Sequence, residues 1–258
     1  MGQDSKIQWT DHTFNPWIGC TKVSPACKFC YAEIFAERYG MVRWGETGTR
    51  KKTADSTWKK PLTWNRAAKK NNTRYKVFCA SLADIFDDHA SIQQEWRDQL
   101  WELIRNTPYL DWQLLTKRPE NFKKFLPKNW GSGYLNVWLG VSAETQNYYN
   151  ERVNVLSNTP AQTRFISMEP LLTPITLHED YRNINWIIIG GESGNGHAIR
   201  KLDLIHVSHT IGQIRSELLF IKQLGTKLAK ELKLKNKTGS DFGEFRDHLQ
   251  WLKVRELP

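Results

Sequence analysis

Residues 186–193 read Trp-Ile-Ile-Ile-Gly-Gly-Glu-Ser. Four consecutive apolar side chains leave no polar face for water. A run of this kind, closed by a glycine pair, fits a strand buried on both faces, the normal state of a parallel sheet covered by helices. The same form recurs at Val77–Ser81, Trp112–Thr116, Val137–Ser142, Arg164–Met168 and Leu218–Ile221, and a short strand is expected around Phe14–Ile18. Between these runs, apolar residues fall at helical spacing in Ile92–Arg105, Asn147–Ser157 and Leu204–Ser216. Strands alternating with helices specify a parallel sheet. The expected fold class is α/β: a parallel-stranded, complete or partial TIM-like barrel of six to seven βα units, with a doubly wound sheet as the other arrangement. One domain over residues 1–258 is expected.

Most of the predicted strands end in polar residues. Ser81 closes the run at Val77, and Thr116 and Lys117 close the one at Trp112. Ser142 and Glu144 follow the strand at Val137, and Glu169 follows that at Arg164. Gly190, Gly191 and Glu192 end the strand at Trp186. Singly, each could be a helix cap or a surface turn. Together they mark the strand ends that converge on the mouth of a barrel, where active sites lie. Lys117, Ser142, Glu144, Glu169 and Glu192 are the candidates for holding a cofactor or substrate, with Lys117 and Glu169 as the catalytic pair.

Hydrophobic residues make up 40% of the chain, enough for a core, and no apolar run approaches the roughly 20 residues of a membrane span. The N-terminal segment carries no apolar signal stretch, so a cytoplasmic protein with no membrane partner is expected. The formal charge of +10 is uneven. Residues 41–76 hold eleven Lys and Arg against Glu46 and Asp55, and a second basic segment lies within residues 222–258. Such segments attract polyanions, nucleic acid above all, although a solvated basic loop is the plain alternative. The part from Gly45 to Asn72 is expected to be an insertion of low order. Within it, Lys51, Lys52, Lys59 and Lys60 are candidate phosphate contacts, and Trp58 and Trp64 are candidate stacking surfaces for bases. The target is then DNA or RNA, with an acidic partner protein as the competitor.

Three of the four cysteines fall within eleven residues, in Gly19-Cys20-Thr-Lys-Val-Ser-Pro-Ala-Cys27-Lys-Phe-Cys30-Tyr31. Clustered cysteines in an intracellular chain more often bind metal than pair as disulfides. Three thiolates can hold three irons of a [4Fe–4S] cluster and leave the fourth iron open for a ligand. Structural zinc on the same cysteines and His12, in a nucleic-acid- or partner-binding protein without catalysis, is the alternative. Cys79 lies mid-strand and reads as a buried core thiol.

The Cys-Lys-Phe-Cys-Tyr element, opening a helix over Ala32–Arg38, resembles the radical S-adenosylmethionine (SAM) superfamily, in which the residue before the last cysteine is usually aromatic, as Phe29 is here. The gap between Cys20 and Cys27 is longer than in most members. Gly190-Gly191-Glu192 is similar to the element with which that superfamily holds the SAM amino group, although there it follows an earlier strand. The chain from Gln8 to about Gly225 also resembles a family of phage and bacterial three-cysteine proteins described as radical-SAM-like. The shared features are WTDxTxNPW, the cysteine loop, LLTKRP, WLGVS, SMEPLL and GGESG. The resemblance implies a cluster on Cys20, Cys27 and Cys30, SAM as cofactor with Phe29 and the strand-end residues near it, an external electron donor, and modification of a substrate, with a nucleic-acid base as the expected target.

Overall fold

The computed structural model describes residues 5–194, 199–215 and 218–258. The chain divides into two compact units, Met1–Gly140 with Asn158–Thr163, and Val141–Ser157 with Arg164–Pro258. In the first unit the chain runs through β1 (His12–Phe14), β2 (Trp17–Ile18), a short 3-10 turn (Pro25–Phe29), α1 (Tyr31–Arg38), β3 (Lys51–Lys52), α2 (Asp55–Trp58), α3 (Lys60–Lys70), β4 (Tyr75–Cys79), α4 (Gln94–Arg105), β5 (Leu110–Thr116) and α5 (Phe122–Phe125). β6 (Val137–Ser142) begins in this unit and ends in the next. The second unit continues through α6 (Gln146–Ser157), β7 (Thr163–Met168), β8 (Trp186–Gly190), α7 (Leu204–Ile211), β9 (Leu219–Gln223) and α8 (Thr226–Glu231).

The strand order is β1-β4-β5-β6 in the first unit and β6-β7-β8-β9 in the second. β1 pairs parallel with β4, β4 with β5, β7 with β8, and β8 with β9. The protein is thus a parallel-stranded α/β protein with the open strand order of a partial TIM-like barrel. The strands follow from their composition. All six residues of β6 and all five of β8 are buried, the pattern of strands covered on both faces. The helices turn one face inward: α4 buries Arg97, Leu100, Trp101, Leu103 and Ile104, and α6 buries Tyr149, Arg152, Val153 and Leu156. α7 stops at Ile211, before Gly212, and is shorter than the spacing over Leu204–Ser216 predicts; residue 216 lies outside the described residues. Among the described residues no helix is long and apolar enough to cross a membrane.

Register sets the ends of the strands. Phe14 stands opposite Cys79, and Cys79 opposite Leu114. The residues that follow, from Asn15, Ala80 and Leu115 onward, therefore leave the sheet side by side. In the second unit Met168 stands opposite Ile189 and Ile189 opposite Ile221, so Glu169, Gly190 and Lys222 emerge together.

The basic stretch expected to be low in order is instead folded. β3 pairs antiparallel with β2, placing Ile18 opposite Lys51 and Trp17 opposite Lys52. α2 and α3 follow directly and bury Thr57, Pro61, Trp64 and Ala68. These inward positions recur every three or four residues among the cations, a helical period that composition alone hides. Trp64 stacks on His12 at 4.3 Å, and Trp58 meets Phe14 edge-on at 5.5 Å. Truncating Trp64 to Ala should therefore cost about 3–5 kcal/mol, as for other core aromatics. Lys60→Ala, on the outer face, should stay within about 0.5 kcal/mol. Urea unfolding of the two variants measures the difference.

Candidate functional site

The cysteine loop begins where β2 ends. Gly19 has φ +115°, and a Cβ there would lie 2.8 Å from the Thr49 carbonyl oxygen and 2.9 Å from Arg50 Cδ. Only glycine permits this close approach, which lets the chain turn into Cys20. The Gly19 amide donates to the Leu82 carbonyl at 3.0 Å, and the Gly45 amide donates to the Cys20 carbonyl at 3.0 Å. Asn15, fully buried, holds the neighbouring strand end: its Nδ2 donates to Ser81 Oγ and its Oδ1 accepts from the Leu82 amide at 2.7 Å. Tyr31 OH donates to the Ser81 carbonyl at 2.9 Å, tying the first turn of α1 to the same place.

Four buried charges of alternating sign lie beneath the loop. Arg118 Nη1 is 3.1 Å from Asp84 Oδ2 and its Nε is 3.4 Å from Asp87 Oδ1. Arg50 Nη2 meets Asp87 Oδ2 at 2.7 Å. Thr116 Oγ1 and the Lys117 amide donate to the Asp84 carboxylate, which orients it. Both arginines also reach the cysteine loop. Arg118 donates through Nη2 to the Thr21 carbonyl at 2.8 Å and through Nη1 to Cys20 Sγ at 3.4 Å, and Arg50 donates to Thr21 Oγ1 at 2.7 Å. Burial disfavours the Arg118 charge, but Asp84, Cys20 and Asp87 more than offset this and hold the guanidinium charged.

All four cysteines are free. Cys20, Cys27 and Cys30 are partly exposed, whereas Cys79 is fully buried and burial pushes its thiol up. Burial pushes Cys20 up to about 12, against the pull of Arg118. Burial also raises Cys30, with a contribution from the neighbouring Cys27, while the amides of Glu33 and Ala32 and the Lys117 charge draw it down. Lys117 is thus near enough to Cys30 to act on its charge. His12 lies at the start of β1, against Trp64 and Tyr75, and not with the cysteine loop. Among the described residues no three His, Cys, Asp or Glu side chains converge closely enough to hold a metal ion. The donor set nevertheless fits an iron–sulfur cluster in kind: three free, partly exposed thiols on one loop.

The second unit gathers the other predicted residues. The Ala143 amide donates to the Ser167 carbonyl, Leu172 to Glu144, and Leu171 to Gly190, which ties three strand ends together. Glu144 is fully buried, with Oε2 3.0 Å from Arg152 Nη1, while its buried Oε1 accepts no hydrogen bond among the described residues. Arg152 Nη1 also donates to the Ser142 carbonyl. Glu169 Oε1 pairs with Lys222 Nζ at 3.0 Å. A Cβ at position 190 would lie 2.9 Å from that same Oε1, so Gly190 makes room for the Glu169 carboxylate. Gly191 and Glu192 follow, but the Glu192 carboxylate is taken up by Arg200, with Nη2 2.5 Å from Oε1.

Of the predicted residues, the first unit therefore brings together Cys20, Ser81, Thr116 and Lys117 around one network, with Phe29 leading into Cys30, and the second brings together Ser142, Glu144, Glu169, Gly190, Gly191 and Glu192. Arg50, Asp84, Asp87 and Arg118 are the functional residues that the sequence reading did not assign. Asp84 and Arg118 follow predicted strands, but nothing in the sequence pairs them, and Arg50 is one cation among eleven. On the basic stretch, Lys51, Lys59 and Lys60 are exposed, whereas Lys52 donates to Gln99 Oε1 and lies 5.0 Å over the Trp58 ring. Trp64 is only 5% exposed and Trp58 is half-buried, so both rings face the fold.

The model of a family described as "Protein of unknown function (DUF5131)" matches residues 4–251. No curated protein sequence matches the chain. Solved structures of spore photoproduct lyase variants are similar to it. One, with bound AdoMet and dinucleoside spore photoproduct, is 12% identical over 93% of this chain, with a TM-score of 0.46. A second, a single-substitution variant, is 12% identical over 82%, with a TM-score of 0.48. The chain spans 64% of the length of each.

The buried network is expected to respond sharply to the loss of one member. Arg118→Met leaves Asp84 and Asp87 with Arg50 as their remaining partner in the network, and should destabilise the protein by about 3–5 kcal/mol, as when one partner of a buried pair is removed. Urea unfolding measures this, and a loss below about 1 kcal/mol would show that the network does not hold the loop.

Proposed function

We propose that this chain, which belongs to the DUF5131 family, is a radical SAM-type enzyme that carries a [4Fe–4S] cluster on Cys20, Cys27 and Cys30 and modifies a nucleic-acid base. The observation that carries this reading is the loop itself: three free thiols within eleven residues, backed by a buried guanidinium that touches Cys20 Sγ. A core thiol such as Cys79 needs no such arrangement. Cys20, Cys27 and Cys30 would hold the cluster, which would supply the electron for reductive cleavage of SAM and so radical chemistry on the substrate.

The chain's own residues have distinct tasks. Arg118 fixes the direction of Cys20 and favours its thiolate. Gly19 and Asn15 set the path into the loop. Lys117 holds an anionic group beside Cys30. In the second unit Glu144 is taken in this reading as a ligand contact; its Oε2 is paired with Arg152 and its Oε1 accepts no hydrogen bond among the described residues. Glu169, paired with Lys222, would serve in this reading as the carboxylate that exchanges a proton with the substrate. Glu192 is engaged by Arg200 and is the weakest of the three as a direct SAM ligand. An external donor supplies the electron, and the exposed lysines of residues 41–76 hold the nucleic-acid backbone.

Purified without oxygen, the protein should contain about four irons per chain. Cys20→Ala, Cys27→Ala and Cys30→Ala should each lose the iron and its colour, and Cys79→Ala should keep both. With a strong reductant the parent should convert SAM to 5′-deoxyadenosine. Stoichiometric zinc in place of iron, or an intact cluster that neither binds nor cleaves SAM, would exclude the enzyme reading.

Nucleic-acid binding should fall steeply with salt, with a slope near 0.9 per phosphate contact on duplex DNA and 0.7 on single strands. Replacing Lys51, Lys52, Lys59 and Lys60 with Ala should flatten that slope while leaving the iron content unchanged. Salt-independent binding in the parent would remove the lysines from the interface.

A further inference from the structure

Nucleic acid held only by lysine–phosphate contacts would have no surface for its bases, because Trp58 and Trp64 are turned into the fold. Exposed rings occur elsewhere in the first unit, on the helix that begins at the last cysteine of the loop. On α1, Tyr31 is 55% exposed, Ile34 49%, Phe35 42%, and Tyr39, just past its end, 60%. Their spacing of three, four and eight residues from Tyr31 puts them on one face. The opposite face is made of Ala32 and Ala36, which pack on Ile18 and Leu82. Small residues inside and large rings outside invert the usual pattern of a surface helix. Solvent contact alone gives no reason to keep four large apolar side chains together on an outer face.

The rings have a defined arrangement. Phe35 and Tyr39 lie 4.7 Å apart, centroid to centroid, and Tyr31 is fixed by its hydroxyl to the Ser81 carbonyl at the end of β4. Lys28 lies 5.4 Å from the Phe29 ring in the turn that leads into Cys30. Lys22, Lys28 and Arg38, in or beside α1, are exposed, against Glu33 and Glu37, and Glu33 is paired by Lys22 at 2.6 Å. Exposed rings with more cations than carboxylates near them suit a single strand, whose bases stack while its phosphates meet the cations. A duplex hides the faces of its bases and could not use the rings.

We propose that the outer face of α1, formed by Tyr31, Ile34, Phe35 and Tyr39, is a stacking platform for single-stranded nucleic acid that presents a base beside the cysteine loop. This rests on the nucleic-acid substrate proposed above, and moves base recognition from the tryptophans of residues 41–76 to α1, leaving the lysines there as phosphate contacts.

The test uses the full chain, purified without oxygen, and fluorescein-labelled oligonucleotides as single-stranded DNA, single-stranded RNA and duplex, read by anisotropy. The variants are Phe35→Leu and Tyr39→Leu, which keep an apolar surface but remove the ring, and Phe35→Trp and Tyr39→Phe, which keep a ring. The expected result is tighter binding of single strand than of duplex. Each leucine variant should weaken single-strand binding roughly fivefold or more, the scale of one stacked base, with the salt slope unchanged. The ring-retaining variants should bind like the parent, and all four should keep the parent's thermal midpoint and iron content. Leucine variants that bind like the parent, equal losses in the ring-retaining variants, or a parent that prefers duplex would overturn the proposal and leave the face as a protein-docking surface. Iron content and 5′-deoxyadenosine formation in the same parent preparation judge the cluster reading separately, because ring dependence is read from binding alone.

Discussion

The Arg50–Asp87–Arg118–Asp84 network is the constraint on which the cysteine loop depends. Four buried charges cost much desolvation energy, and they persist because each cation faces a carboxylate and Asp84 also accepts from the Thr116 hydroxyl and the Lys117 amide. The network also draws on residues far apart in the chain: Arg50 precedes β3, Asp84 and Asp87 follow β4, and Arg118 follows β5. Only the finished first unit brings them together. Because Arg118 and Arg50 end on Cys20 and Thr21, the geometry of the loop is coupled to the packing of two strand ends. The segment that holds Asp84 and Asp87 is secured from a third side as well, since buried Arg97 of α4 donates to the carbonyls of Ile85 and Asp87.

Burial and charge act against each other at the thiols. Burial alone keeps a thiol protonated and inert, as at Cys79. At Cys20 the same burial is opposed by a guanidinium 3.4 Å away, and at Cys30 by Lys117 and two amides. Burial remains the larger effect at both, and both thiols stay raised. The second unit has a buried carboxylate oxygen on Glu144 that accepts no hydrogen bond among the described residues, beside an arginine that neutralises its partner oxygen.

The basic stretch shows why composition and structure have to be read together. Its cations give the first unit an electrostatic footprint whatever the fold, because charge acts at a distance. Its tryptophans are different, because a ring contributes to recognition only where its face is open. Trp64 lies against His12 and Trp58 against Phe14, so the residues that looked most like nucleic-acid contacts serve the core. The exposed aromatic surface is instead on α1, where alanines on the inner side let the helix sit close to Ile18 and Leu82.

The parallel strands were legible in the sequence because a strand buried on both faces must be apolar throughout. Val137–Ser142 and Trp186–Gly190 end where their apolar runs end. The three-cysteine loop and the helix after it were legible for a similar reason, since thiols at close spacing are a local feature. The β2–β3 pairing was not, because it joins residues more than thirty positions apart through backbone hydrogen bonds that leave no mark on side-chain periodicity. Nor were α2 and α3, whose inward residues are diluted by lysine. The partners of Arg118, the engagement of Glu192 by Arg200, and the choice of which rings face outward were decided only by tertiary structure. Charge pairing and exposure depend on distances through space, whereas the sequence by itself determined what could be buried and which residue types could do chemistry.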